Sequence, residues 1–177
     1  MFAMHFKFSL LLAAGVLLGG CGLAQRVADG SGALADTVFR KRVNTLHLDL
    51  SARAAANTDR ADMSGLSLPT LVRIYQLQGR QALDQADYPA LLAEGGQRLR
   101  GELLDAHQVV VKPGAAVQLN VPLARETTHV AVVALFHRPD TPGAQWRLVL
   151  ERDQLHGERP RLIELGDNVL TLKGPDA

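Results

Sequence analysis

The sequence is nearly free of cysteine, because Cys21 is the only one among its 177 residues. One thiol cannot form an internal disulfide, so the fold cannot rely on the cross-links that stabilise many small exported domains. A lone cysteine in an exported chain therefore needs a role of its own.

Aromatic residues are also scarce, at 5% of the chain, and the charges nearly cancel. Few aromatic rings argue against a surface on which sugars or bases stack. The 19 basic and 18 acidic side chains provide no concentrated basic surface for nucleic acid. We therefore expect neither a nucleic-acid partner nor a small-molecule substrate.

Long apolar runs are absent except for one at the N-terminus. Phe8–Leu18 follows a short start that contains Lys7, and small residues follow it. This order is typical of a secretory signal, and the run is shorter than the roughly 20 apolar residues of a membrane-spanning helix. Leu18-Gly19-Gly20-Cys21 resembles the bacterial lipobox, in which a peptidase cleaves before a cysteine that carries lipid. The alternative is an ordinary signal peptide with an incidental thiol.

Lipid on Cys21 would anchor the protein firmly. Each buried methylene group contributes about 0.8 kcal/mol, and two or more acyl chains hold a protein stably where one chain is marginal. Gly22 follows the cysteine, whereas an aspartate there is the usual inner-membrane retention signal in enteric bacteria. We predict attachment to the periplasmic face of the outer membrane, with no cofactor beyond the lipid.

Three regions follow from this interpretation. Residues 1–20 form the signal peptide, and residues 21–43 form a lipidated flexible tether rich in glycine and small residues. A tether of about 20 residues spans roughly 25 Å on average. Residues 44–177 have the length of one domain.

The domain is predicted to be mainly β. Leu46, Leu48, Leu50 and Ala52 alternate with polar residues, which indicates a half-buried strand. The continuous apolar run within His129–His137 predicts a strand buried on both faces. Further strands are predicted at residues 71–77, 107–112, 117–121, 146–151, 161–165 and 169–172. The strands at 107–112 and 117–121, separated by Pro113-Gly114, suggest a hairpin.

One helical region is predicted at Asp84–Leu104, with a break at Gly95-Gly96. Either Asp84 or Asp87 can cap its start. Eight strands with one helical insertion predict a two-sheet β-sandwich that is closed by a Val/Leu core.

The chain lacks the motifs of an enzyme. The histidines of the domain have no zinc-site spacing, and no serine lies in a Gly-x-Ser-x-Gly turn. Asp84 and Asp87 are better explained by helix capping than by acid–base catalysis. Gly166-Asp-Asn-Val lacks the glycines of a phosphate-binding loop. We predict no catalytic residue and no metal site, and we interpret four residues within strands as structural, namely Arg73, Tyr75, Trp146 and Arg147.

The loop Ala54–Leu68, between the first two predicted strands, is long and polar. A loop on a rigid scaffold can provide binding specificity without disturbing the core. Met63 and Leu66 are candidate apolar anchors and Arg60 a candidate directional donor, since Met and Arg are enriched at interfaces. From the residues alone, the alternative is a solvated loop whose apolar side chains fold back onto the core.

Four segments of the sequence are more specific for one family in combination than any one of them is alone. They are Leu71–Leu77, Asp84–Leu91, Val132–Phe136 and Gln145–Arg147. Together, behind the lipobox, they resemble the TssJ family (SciN, VasD), the outer-membrane lipoproteins of the type VI secretion system. The similarity extends from about Leu46 to Leu172.

The resemblance implies a transthyretin-like β-sandwich with a helical insert and a structural function. In this family the protein binds the periplasmic C-terminal region of TssM, an inner-membrane protein, and the loop between the first two strands contributes to that contact. The candidate partner-binding residues in this chain are Asn57, Asp59, Arg60, Asp62, Met63 and Leu66.

Two other classes remain open from the sequence. One is a periplasmic lipoprotein module that binds a ligand and is unrelated to secretion, which would need a concave aromatic surface. The other is a hydrolase, which would need His, Arg and Ser side chains that converge. Neighbouring genes would distinguish these alternatives from a secretion component.

Overall fold

The computed structural model of the protein describes residues 43–58, 67–140 and 142–174. The predicted signal peptide, almost all of the predicted tether and Cys21 lie outside these ranges. None of the helices in the described part of the chain has the length and hydrophobicity of a membrane span.

The domain consists of eight strands and a short helical segment. In chain order these are β1 (Thr45–Ala52), β2 (Thr70–Leu77), α1 (Gln81–Gln85), α2 (Tyr88–Glu94), a 3₁₀ helix (Gly95–Leu99), β3 (Leu103–Val111), β4 (Ala116–Pro122), β5 (His129–Leu135), β6 (Arg147–Glu151), a second 3₁₀ helix (Arg152–Gln154), β7 (Arg161–Gly166) and β8 (Val169–Leu172).

The strands form two four-stranded sheets. The first has the order β4-β1-β7-β8 and the second the order β3-β2-β5-β6. Strands β1 and β7 pair in parallel, whereas the other neighbours pair antiparallel. This arrangement confirms the predicted β-sandwich with a helical insertion.

The core between the sheets consists of the alternating apolar residues. Leu46, Leu48 and Leu50 of β1 are at most 1% exposed, as the alternation predicts. Strand β5 is buried at every position from Val130 to Ala134. Its second face is covered because Ala131 and Val133 pack in a separate apolar cluster together with leucines of the helical segment.

Side chains of the second sheet hold the helical segment in place. The Arg147 Nη1 atom donates to the Leu83 carbonyl oxygen at 2.8 Å. The Arg73 Nη1 atom donates to the carbonyl oxygens of Leu91 and Leu92. Both arginines thus satisfy carbonyl groups near the ends of short helices, and their predicted structural role is confirmed.

The start of the helical segment differs from the prediction. Helix α1 begins at Gln81 because the Glu102 carboxylate accepts hydrogen bonds from the backbone N–H groups of Gln81 and Ala82. Asp84 lies inside this helix and pairs with Arg80. Asp87 is the residue that caps a helix, accepting from the Ala90 N–H group at 2.9 Å.

Two predictions at β3 are wrong. Leu103 and Leu104, which fit a helical spacing, lie in β3. The turn at Pro113-Gly114 does not join a hairpin, since β3 pairs with β2 and β4 pairs with β1. The turn carries the chain from one sheet to the other. Apolar alternation identifies the buried face of a strand and leaves its partner undetermined.

Candidate functional site

The predicted binding loop begins and ends in a paired neck. Thr58 and Ser67 form an isolated antiparallel bridge, and the Leu68 N–H group donates to the Asn57 carbonyl oxygen at 2.9 Å. The Asn57 N–H group also donates to the Ser67 Oγ atom at 3.2 Å. Both ends of the segment 59–66 are therefore fixed to each other.

Asn57 is part of this neck and is not an exposed contact residue. Its side chain is buried, with 3% of the residue exposed, and its Oδ1 atom accepts from the His137 N–H group at 2.8 Å. This bond joins the neck to the chain segment that follows β5. The prediction that Asn57 contacts a partner is corrected accordingly, because a buried amide that is already hydrogen-bonded has little to offer another protein.

The turn between β7 and β8 holds the part of the β1–β2 loop that directly follows β1. The N–H groups of Asp167 and Asn168 donate to the carbonyl oxygens of Ala55 and Ala56 at 2.8 and 3.1 Å. The Asn168 side chain, in a residue only 2% exposed, donates to the Thr58 carbonyl oxygen at 3.1 Å.

The sequence predicts a hairpin with its turn at Gly166-Asp-Asn168, and the antiparallel pairing of β7 with β8 confirms it. The contact of this turn with the β1–β2 loop was not predicted. Asp167 and Asn168 have positive φ angles of 52° and 62°. Asp and Asn are the non-glycine residues that adopt this conformation most readily, and such a pair between two strands is typical of a tight hairpin turn.

The remaining candidate residues of the loop fall on the segment 59–66, outside the described residues. They are Asp59, Arg60, Asp62, Met63 and Leu66. Their roles remain predictions, as does that of Cys21.

The neck lies at the opposite end of the sandwich from the point where the described chain begins. Val43 precedes β1 and the neck follows it, so the eight-residue strand separates them. At about 3.3 Å per residue, that strand spans roughly 25 Å. The sandwich thus has an entry end, marked by Val43, and a loop end, marked by the Thr58–Ser67 bridge.

Replacing Asn57 with alanine is expected to destabilise the protein by about 1–3 kcal/mol, because the His137 N–H group loses its acceptor in a buried setting. The free energy of unfolding can be measured by urea denaturation. Asn120, which accepts from His47 on an exposed face at 2.6 Å, provides the matched control. Asn120→Ala should change stability by no more than about 0.5 kcal/mol. Equal effects of the two substitutions would contradict the structural role of Asn57.

The histidines of the domain have separate polar partners. His47, His107 and His129 contact Asn120, Asp105 and Thr128, respectively, at 2.6–2.9 Å. Within the described part of the chain, no three His, Cys, Asp or Glu side chains are grouped as metal ligands would be.

Comparison with known proteins gives one family. Residues 44–168 match the family model described as type VI secretion lipoprotein, with the member names VasD, EvfM and TssJ. A search of curated protein sequences returned no match.

Three solved structures illustrate the similarity. A chain of a structure described as "Type VI membrane complex" is 41% identical, with 75% of this chain and 100% of that chain covered and a TM-score of 0.69. A chain of "T6SS protein TssM C-terminal domain (869-1107) from EAEC" is 40% identical, with 75% and 99% covered and a TM-score of 0.65. The T6SS lipoprotein TssJ1 from Pseudomonas aeruginosa is 26% identical, with 75% and 96% covered and a TM-score of 0.61.

Proposed function

The chain belongs to the type VI secretion lipoprotein family, and we propose that it is a structural outer-membrane component that binds the periplasmic C-terminal region of TssM. The contact is made by the loop between β1 and β2. The protein thereby links a lipid anchor in one membrane to a partner that is held in the other.

The observation that carries the proposal is the similarity to one solved chain. That chain lies in a structure whose description names the TssM C-terminal domain. It is 40% identical to this chain and is covered over 99% of its length. A second chain, 41% identical, lies in a structure described as a type VI membrane complex. Identity at this level, over nearly the whole of those chains and 75% of this one, supports a common binding partner.

The geometry of the loop end supports the choice of this loop. The neck is held by its own bridge, by His137 and by the turn at Asp167-Asn168. A loop whose ends are already fixed loses less conformational entropy on binding than a free segment does. In this proposal Arg60, Met63 and Leu66 make the central contacts, with Asp59 and Asp62 beside them and Asn57 as internal support.

The lipid provides the second attachment. The lipobox and the family membership support an acylated Cys21, and the residues between it and Val43 provide reach. Because the anchor confines the domain to the space below the outer membrane, the effective concentration of the domain near its partner is high. A modest interface then suffices for a stable link.

No step of this function requires catalysis or a cofactor other than the lipid. The role is mechanical, since the protein couples two anchored molecules. The alternative of a ligand-binding module unrelated to secretion lacks the family match that supports the secretion role.

Co-purification tests the proposal directly. The tagged protein is expected to retain the TssM periplasmic C-terminal domain through size-exclusion chromatography. A protein that elutes separately from the TssM domain at micromolar concentrations of both would contradict the proposal.

A further inference from the structure

A small pocket with a basic lining lies toward the entry end of the first sheet. It has a volume of about 210 Å³, and its charged or titratable lining residues are Asp49, His156, Arg159, Arg161 and Lys173. Strand β7 runs parallel to β1 and starts with Arg161 opposite Leu48. The residues that precede β7 therefore lie toward the Val43 end, away from the neck of the β1–β2 loop.

The two arginines of this pocket have no carboxylate partner among the described residues. The ion pairs there are Arg53–Glu164, Arg80–Asp84, His107–Asp105, Arg138–Asp140 and Lys173–Glu164. The Arg161 Nε atom is buried and has no hydrogen-bond partner. Its Nη1 atom lies 3.4 Å from the His156 Nε2 atom, a neutral or cationic neighbour. A partly buried guanidinium group normally pairs with an anion, so this arrangement is unusual.

Glu164, the carboxylate of β7, is already shared by two cations. Glu164 accepts from both Arg53, at 2.7 Å, and Lys173, at 3.1 Å. Burial raises the pKa of Glu164, but the hydrogen bonds from Lys173 and Arg53 together outweigh this effect. The pKa of Glu164 therefore lies below its usual value. Asp49 is the carboxylate that lines the pocket, against three basic lining residues, Arg159, Arg161 and Lys173.

We propose that this pocket binds a phosphate-type oxyanion, either inorganic phosphate or the phosphate of a lipid headgroup. The guanidinium fork of arginine matches the oxygen geometry of phosphate, and charge-assisted hydrogen bonds of this kind are about twice as strong as neutral ones. The volume suits a single small group, since sites for larger organic ligands occupy roughly 300–1,000 Å³. The oxyanion would accept hydrogen bonds from Arg159 and Arg161. One of these would come from the buried Nε–H group of Arg161.

The location of the pocket gives a lipid headgroup as one natural source. The segment that would carry the lipid joins the domain at Val43, whose carbonyl oxygen accepts from Arg152 at 2.9 Å. The proposed protein-binding loop is at the other end. The oxyanion site stands independently of TssM binding, because it rests on the residues of β1, β7 and the segments that flank β7 and β8.

Titration with inorganic phosphate tests the site. The purified full-length mature protein is titrated by calorimetry at constant ionic strength, with sodium acetate as the comparison anion. Phosphate should bind, and Arg161→Gln should weaken its binding by at least about tenfold, as expected for the loss of charged hydrogen bonds. Arg159→Gln, at an exposed position, should have the same direction of effect. Arg98→Gln, which removes an exposed cation of the first 3₁₀ helix, should leave the affinity unchanged.

Three results would overturn the assignment. These are the absence of phosphate binding, equal binding by wild type and both pocket variants, and binding of acetate as strong as that of phosphate. Because Arg159 is exposed, its variant keeps the test valid even if Arg161→Gln is poorly folded.

Vesicle sedimentation distinguishes the two sources of phosphate. Cys21→Ser protein, which cannot be acylated at that position, is mixed with vesicles of phosphatidylglycerol or of phosphatidylcholine. If the headgroup is the ligand, the protein sediments with phosphatidylglycerol vesicles and loses this binding in the Arg159→Gln and Arg161→Gln variants. If free phosphate is the ligand, the pocket variants lose phosphate binding in calorimetry while vesicle sedimentation is the same for all proteins. If the pocket variants lose neither phosphate binding nor vesicle binding, the proposed site is refuted.

Discussion

Replacement of Cys21 by serine is expected to remove the protein from the outer-membrane fraction entirely. Serine cannot form the thioether bond to lipid, and each methylene group that is no longer buried in the bilayer forfeits about 0.8 kcal/mol of membrane affinity. Because the sequence has no other cysteine, no second residue can substitute for it. Secretion should be lost at the same time, since the proposed link then has only one anchored end.

Membrane fractionation followed by immunoblotting measures this result. Gly22→Ala, next to the cysteine, is the matched control and should remain in the outer-membrane fraction. Mass spectrometry of the wild-type N-terminus should find acyl chains on residue 21. A serine variant that still fractionates with the outer membrane, or an unmodified thiol in the native protein, would contradict the lipid anchor.

Replacement of residues 59–66 by a Gly/Ser linker of equal length is expected to abolish binding to the TssM C-terminal domain. The change removes every candidate contact side chain of the loop and leaves Asn57, Thr58 and Ser67 in the neck. Since the neck and its bonds to His137 and to the β7–β8 turn are retained, the free energy of unfolding should fall by less than about 1 kcal/mol.

The control for the loop replacement is a substitution at the opposite end of the sandwich. Arg125 and Glu126 are exposed residues between β4 and β5, and Pro122 of β4 pairs with Thr45 at the start of β1. The double variant Arg125→Gly, Glu126→Ser should bind TssM with unchanged affinity. Retained binding by the loop variant in biolayer interferometry would assign the interface to another surface.

The fold was predictable to the extent that each strand has a distinct buried face. The alternation of β1 and the continuous apolar run of β5 identify these strands because a side chain's direction in a strand depends on position alone. The pairing of β3 with β2 and of β4 with β1 was not predictable in the same way. Two strands joined by a short turn have the same alternation whether they form a hairpin or cross between sheets.

The ends of the helical segment could not be predicted from the sequence, because contacts with distant residues determine them. Helix α1 begins at Gln81 because Glu102 accepts from its first N–H groups, and that acceptor lies 21 residues along the chain. Leu103 and Leu104 continue a leucine spacing that fits a helix, but pairing with β2 places them in a strand. Tertiary contacts overrode the local pattern at both positions.

The candidate site was predictable as a loop and not as a set of side chains. Asn57 is polar and lies in a turn-rich segment, so the sequence alone cannot distinguish it from an exposed contact residue. Its acceptor role depends on His137, which is 80 residues away. The basic pocket was missed altogether. Arg161 and Lys173 come together because β7 and β8 pair, with Ile163 opposite Leu172.

Hydrogen–deuterium exchange of the protein with and without the TssM C-terminal domain locates the surface that binds TssM. Exchange should slow on binding in the β1–β2 loop, including the segment 59–66 and the neck at Thr58 and Ser67, and should not change at residues 156–161 at the entry end. Protection that is confined to the entry end or to the outer face of either sheet, with unchanged exchange in the loop, would contradict the proposed binding surface.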